Sequence, residues 1–131
     1  MPDKITKSDA EWRSQLSPLA YKVTRKGGTE RAGSHEDFPK SEGIFTCTCC
    51  GAELFDAETK FESGSGWPSF FDPLTPETIE MRADNKLFMK RTEVLCATCD
   101  AHLGHIFPDG PQPTGMRYCL NGVALDFKYK D

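Results

Sequence analysis

Apolar and polar positions follow two different rhythms along this chain, and the change falls near Gly43. Upstream the spacing is helical. Ser8 and Glu11 fit a capping box, and Trp12 with Leu16 supplies an i,i+4 apolar pair, so a short amphipathic helix is predicted there. Ser17 can cap a second helix, Pro18 suits its first position, Leu19, Tyr21 and Val23 are its apolar residues, and Gly27-Gly28 would end it. From Thr29 to Glu42 the chain is charged, carries Gly and Pro and has almost nothing apolar, which predicts a surface loop over the body of the protein.

Downstream of Gly43 the apolar residues come in short β-type runs divided by turn residues: Ile44–Thr46, Glu53–Phe55, Leu87–Met89, Glu93–Leu95, Ile106–Phe107, Arg117–Leu120 and Val123–Tyr129. Thr75-Pro76-Glu77 can start one helical turn, but no long helical period survives. The expected fold is mainly β: antiparallel sheets packed on each other, with short N-terminal helices flanking them. Residues 1–131 are expected to form a single domain, a helical and loop lead-in over 1–42 and a β-rich body over 43–131.

Composition narrows the function. The 131 residues carry 16 Lys+Arg against 20 Asp+Glu, a net charge of −4, with no basic cluster to neutralise phosphates, which argues against a nucleic-acid partner. No apolar stretch is long enough to span a membrane, and Met1 to Ala10 lacks an apolar signal core, so a cytoplasmic protein with no membrane partner is expected. In that reducing compartment the six cysteines point to metal ligands or catalytic thiols before disulfides.

Cys47-x-x-Cys50 and Cys96-x-x-Cys99 form two similar pairs, followed by Gly51-Ala52 and Asp100-Ala101. Tight turns of this kind let paired thiolates converge on one tetrahedral zinc ion, and four thiolates leave no position for water, so the zinc is expected to be structural and one per chain. The gap between the pairs exceeds the common ribbon spacing, and buried free thiols or a redox dithiol are the alternatives. Cys49, between two ligand candidates, is a spectator thiol, a competing ligand or a redox partner.

Cys119 stands apart in Arg117-Tyr118-Cys119-Leu120-Asn121. On a strand, Arg117, Cys119 and Asn121 share one face. A guanidinium beside a thiol favours the nucleophilic thiolate, although a half-buried cysteine on a polar face is the plainer reading. His102 and His105 follow the second cysteine pair, with Gly104 permitting the bulge that turns both rings toward one pocket. Nucleophile and proton donor would then be adjacent; otherwise the two rings are alternative zinc ligands or surface groups. Trp67, in a rigid Gly-Trp-Pro turn, is either packing or a wall suited to a methyl-sulfur group. The turn-rich stretch from Phe107 to Gly115 leads into the Cys119 strand and brings backbone near the thiol.

Three segments, Gly66-Trp67-Pro68-Ser69-Phe70, Cys96 through Pro111 and Arg117-Tyr118-Cys119-Leu120-Asn121, closely resemble the methionine sulfoxide reductase B family, and the likeness covers about Tyr21 to Phe127. The resemblance implies two antiparallel sheets with a structural zinc, and reduction of the R epimer of peptide-bound methionine sulfoxide, one enzyme serving each epimer. It implies that the Cys119 thiolate attacks the sulfoxide sulfur and that His105, with His102, delivers or shares the proton for the departing oxygen. Methionine leaves, and Cys119 becomes a sulfenic acid. Trp67 would receive the ε-methyl, Phe107 joins it as a substrate-binding candidate, and Arg117 and Asn121 would tune and orient the thiol and its waters.

Many members of that family have a resolving cysteine where this chain has Ser65, which cannot form the disulfide that thioredoxin then reduces. The expected second half-reaction is direct reduction of the sulfenic acid by an external thiol or dithiol: thioredoxin, glutaredoxin or glutathione. A monomer acting on oxidised proteins or peptides is expected. The rival functions are a zinc-ribbon-like interaction module without catalysis and a general disulfide oxidoreductase working through one Cys-x-x-Cys pair.

Overall fold

The computed structural model describes residues 5–33, 38, 41–84 and 91–129. Helix α1 (Asp9–Gln15) opens with the reciprocal capping box, each of Ser8 and Glu11 accepting from the other's backbone N–H at 3.2 Å. Helix α2 (Pro18–Lys26) is capped by Ser17 and ends at Gly27, where φ of 71° is left-handed and suits a residue without Cβ. Its buried stripe is Ala20, Val23 and Thr24, three and four residues apart, and Leu16, the C-cap of α1, is also buried. Leu19 falls at the edge of that stripe and stays exposed, unlike the apolar role expected for it.

Nine strands follow among the described residues: β1 (Gly43–Cys47), β2 (Glu53–Asp56), β3 (Lys60–Phe61), β4 (Ser69–Phe70), β5 (Ile79–Asp84), β6 (Arg91–Cys96), β7 (His102–Phe107), β8 (Arg117–Leu120) and β9 (Leu125–Tyr129). They form a three-stranded sheet in the order β2-β1-β9 and a six-stranded sheet in the order β3-β4-β8-β7-β6-β5, with every neighbouring pair antiparallel. The mainly β fold of two antiparallel sheets with two short N-terminal helices is therefore as expected.

Aromatic rings join the sheets. Phe45 and Phe55 of the smaller sheet meet Phe70 of the larger at centroid distances of 5.0 and 4.6 Å, and Phe55 reaches Tyr118 at 5.6 Å. Phe45, Phe55 and Phe70 are fully buried, and removing such a ring from water is worth up to about 3 kcal/mol. The polar face of β8 lies on the far side of this core, with Tyr118 and Leu120 inward and Arg117 and Cys119 half-buried outward.

Some elements differ from the sequence pattern. The helical turn expected at Thr75-Pro76-Glu77 is a short 3-10 turn at Pro76–Thr78, and another at Gly122–Ala124 delays β9. Strand β5 forms at the sheet edge without having been expected, and β7 begins at His102, before Ile106. The run Leu87–Met89 lies outside the described residues, as do residues 34–37 and 39–40 of the loop expected over Thr29 to Glu42. Within that loop residues 31–33 are exposed as expected, but Glu30 is only 2% exposed. Among the described residues no helix is long and apolar enough to cross a membrane.

Candidate active site and metal centre

The two cysteine pairs occupy turns of the same construction. In each, the residue after the second cysteine is left-handed, Gly51 with φ 78° and Asp100 with φ 62°. In each, its N–H donates to the first cysteine's carbonyl at 2.8 Å, Gly51 to Cys47 and Asp100 to Cys96. Each first cysteine donates in turn to the following alanine, Cys47 to Ala52 and Cys96 to Ala101, both at 2.9 Å. That shared geometry is why the sequences after the two pairs are alike: glycine and, less readily, aspartate adopt the left-handed conformation.

The turns bring four thiols together. The Sγ atoms of Cys47, Cys50, Cys96 and Cys99 all lie within 4.8 Å of one another, with Cys47 to Cys99 at 3.7 Å and Cys50 to Cys96 at 3.6 Å. A regular tetrahedron of thiolates at metal–sulfur distances of about 2.3 Å has edges of about 3.8 Å, so this donor set fits a closed metal site. Both short contacts cross from the smaller sheet to the larger. Hydrogen bonding led by Cys47 draws the Cys99 thiol down to about 3, while hydrogen bonding led by Cys49 pushes Cys47 far above the thiol range. Thiols ligate a metal as thiolates, so a cation bound by this cluster would displace their protons. Cys49 is buried beside it, and its carbonyl accepts from Gln15 Nε2 at 2.7 Å.

Further along the larger sheet, strand register assembles a polar row. Ser69 of β4 pairs with Cys119 of β8, Cys119 with His105 of β7, and His105 with Glu93 of β6. Directly opposed residues of antiparallel strands point to the same face, so these four side chains form one line across the sheet. His102 would lie on the other face under a two-residue period. It does not, because Val94 pairs with Gly104 and Leu95 with His102, leaving Leu103 as an extra bulge residue. The His102 and His105 rings consequently meet edge to face at 5.4 Å.

The bulge expected at Gly104 is present, but the glycine serves a different need. A Cβ there would lie 2.1 Å from the Cys119 carbonyl oxygen and 2.8 Å from Leu120 Cα, so β8 approaches only because position 104 has no side chain. Glu93 was not singled out from the sequence, where it reads as an ordinary strand residue. Its Oε2 lies 2.6 Å from His102 Nδ1 and fixes the orientation of that ring. Its place in the Thr92-Glu93-Val94 run, opposite a histidine, is the only available signal and requires the register.

Arg117 and Phe107 are also paired in register, and the guanidinium sits over the Phe107 ring with Cζ 4.5 Å from its centroid. Asp109 holds the other side of Arg117 through two contacts, 2.9 Å from Nε and 3.3 Å from Nη2. Phe107 therefore supports Arg117. The Trp67 turn lies at the opposite end of this row: Ser65 Oγ is 4.0 Å from Cys119 Sγ and accepts from the Trp67 N–H at 3.3 Å. An open groove of about 530 Å³ runs between Phe61, Ser63, Ser65, Asp109 and Arg117.

Asn121 departs from the face expected for it. Strand β8 ends at Leu120, and the buried Asn121 amide is committed to backbone: Nδ2 donates to Leu103 O at 3.0 Å, and Oδ1 accepts from the Glu30 N–H at 3.0 Å. It fixes the bulge between the two histidines rather than reaching toward the thiol.

Burial pushes the Cys119 thiol above its ordinary value, against the lowering influence of the Ser65 hydroxyl, the Arg117 guanidinium and the Ser69 hydroxyl. The guanidinium acts in the expected direction, but desolvation outweighs it. Cys119 and His105 are half-buried and opposed in register, with the buried His102 and its Glu93 contact beside His105, and a thiol opposed to an imidazole can act as nucleophile and proton donor.

Comparison with known proteins bears on this arrangement. The SelR domain matches residues 16–129. A peptide methionine sulfoxide reductase MsrB of Methanosarcina mazei is 52% identical over 126 residues, covering 95% of this chain and 90% of that protein. One from Hahella chejuensis is 52% identical over 130 residues, covering 98% and 94%, and one from Synechococcus sp. strain RCC307 is 51% identical over 130 residues, covering 98% and 95%. With near-complete coverage at this identity, the chain belongs to the SelR-domain family of methionine sulfoxide reductase B proteins.

Proposed function

We propose that this protein reduces peptide-bound methionine (R)-sulfoxide and that Cys119 is its nucleophile. The observation that carries the reading is the register opposing Cys119 to His105, with Ser65 and the Trp67 turn on the other side of the thiol. Sulfoxide sulfur is electrophilic only when its oxygen can leave, so the thiolate needs a proton donor close by. His105 supplies it, and His102, held by Glu93, supports that ring. Trp67 receives the ε-methyl, sulfur packing well on aromatic faces. Arg117, held between Asp109 and the Phe107 ring, stabilises the thiolate and the sulfenate that replaces it.

The balance is simple. Cys119 thiol and sulfoxide give methionine and a Cys119 sulfenic acid; two further thiols then give one disulfide, water and the regenerated Cys119. No internal thiol is placed to act as the second partner. Cys96 is three residues beyond Glu93 on β6, and Glu93 is two strands from Cys119. At about 3.3 Å per residue and 4.8 Å per strand the thiol cluster is on the order of 14 Å away, twice the roughly 7 Å that a disulfide spans between Cα atoms. Cys49 lies beside that cluster, so we assign the reduction to an external thiol or dithiol of the thioredoxin, glutaredoxin or glutathione kind.

Zinc is the ion we assign to Cys47, Cys50, Cys96 and Cys99, one per chain. Convergence of both pairs on one centre speaks against either pair serving as a free redox dithiol. The test compares the parent with Cys119→Ser on R and S methionine sulfoxide peptides, with dithiothreitol as reductant. Turnover of the R peptide alone, abolished in Cys119→Ser, is expected, and mass spectrometry after one turnover should find a trappable sulfenic acid. Full activity in the variant, or a Cys119–Cys49 disulfide in high yield, would overturn the assignment.

A further inference from the structure

Glu30 is a charged residue in the connection after α2, between the exposed Thr29 and Arg31, yet it is 2% exposed and hydrogen-bonds to three parts of the site. Its carboxylate accepts from the N–H groups of Gly122 and Val123, both at 2.8 Å. Its own N–H donates to Asn121 Oδ1 at 3.0 Å, and its carbonyl accepts from Trp67 Nε1 at 3.1 Å. Asn121 in turn donates to Leu103 O through both its backbone N–H, at 2.8 Å, and its side chain, at 3.0 Å. One buried residue thus links the indole to the histidine bulge and to the turn that follows the Cys119 strand.

We propose that Glu30 is a positioning residue that sets the indole of Trp67 against the reacting face. The physical argument is directional. An indole N–H fixes the tilt of its ring when its acceptor is rigid, and the acceptor here is a backbone carbonyl. That carbonyl is rigid because the side chain of the same residue is locked by two charge-assisted bonds to backbone donors, which also satisfy a carboxylate removed from water. The adjoining chain adds a second restraint: a Cβ on Gly66 would lie 2.8 Å from Ala32 Cβ, so residues 32–33 and the Trp67 turn touch closely. Removing the carboxylate's acceptor capacity frees the carbonyl and therefore the ring, while the cysteine and histidines keep their own strand supports.

This assignment rests on the proposed role of Trp67 as the substrate wall, and the experiment separates the two. Glu30→Gln keeps the volume but offers one acceptor oxygen where two are used, so it is the variant expected to fold; Glu30→Asp shortens the reach while keeping both oxygens. In a Trp12→Phe background, where Trp67 is the remaining tryptophan, its emission and iodide quenching report the ring directly, whether or not the protein reduces sulfoxides. Expected for Glu30→Gln is a quenching constant raised at least about twofold, KM for an R-sulfoxide peptide raised about tenfold, and kcat changed by less than about threefold. Glu30→Asp should fall between variant and parent. Unchanged Trp67 quenching overturns the proposal outright. Altered quenching with unchanged KM overturns Trp67 as the substrate wall and with it the functional part of the proposal. Equal losses in kcat and kcat/KM with unchanged KM would place Glu30 behind the thiol or histidines and also overturn it.

Discussion

Cys119 is subject to opposing influences whose sum decides when it reacts. Desolvation raises its pKa, and the Ser65 hydroxyl is the largest of the groups that lower it. A thiol raised in this way is protonated in the resting protein at neutral pH, so the thiolate fraction, and with it kcat/KM, climbs with pH through a limb above the ordinary thiol range. Ser65→Ala removes a donor to the thiolate, so the limb should move higher. At pH 7 kcat/KM should then fall a few-fold, on the order of 0.5–1 kcal/mol, as suits one long hydrogen bond. A pH–rate profile of the two proteins reads this, and a limb that stays in place or moves down contradicts it. Individual residues were unevenly legible in the sequence. Cys119 and the histidines announce themselves by rarity and spacing, whereas Glu30 and Glu93 look like any solvated carboxylate until register and burial give them partners.

At the scale of elements, strand β7 does the most to build the site. Its bulge places His102 and His105 on one face, and its glycine lets β8 lie close enough for Cys119 to face His105. Gly104→Ala places a methyl against backbone of β8, which has no flexible side chain to yield, so the two strands must separate. Overpacking of this kind costs about 1–3 kcal/mol. The melting temperature should fall by several degrees, and kcat/KM by on the order of a hundredfold if Cys119 shifts by about 1 Å. Parental stability and activity in this variant would show that the approach is not needed. The sequence pointed to this bulge through the same glycine but attached it to the turning of the rings. Steric room between strands is a property of two strands at once and has no local signature. Strands β3 and β4, with two residues each, are likewise too short to show a period.

The whole molecule is held by two kinds of cross-link between its sheets, aromatic contact at one level and the thiol cluster at another. Packed antiparallel sheets and two short helices could be read from the change of rhythm at Gly43, and the number of sheets from the family resemblance, but which faces meet could not, since Phe45, Phe55 and Phe70 come from separate strands. The cluster joins the β1–β2 turn to the β6–β7 turn, and both helices latch onto it, Gln15 through the Cys49 carbonyl and Arg25 through the Cys99 carbonyl at 3.0 Å. Structural thiolate sites contribute about 10–16 kcal/mol, comparable to or greater than the whole net stability of a domain, about 5–15 kcal/mol. Removing the ion should therefore abolish the folded state rather than trim it. Metal analysis is expected to find about one zinc per chain, and chelation under reducing conditions should erase the cooperative thermal transition and the near-ultraviolet signal together. Cys50→Ser should do the same, because it withdraws one ligand from the four. Cys119→Ser should keep its transition within about 1 kcal/mol of the parent, because Cys119 belongs to the polar row and lies outside the cluster. A metal-free protein with the parent's melting temperature would mean that the aromatic contacts alone hold the sheets together.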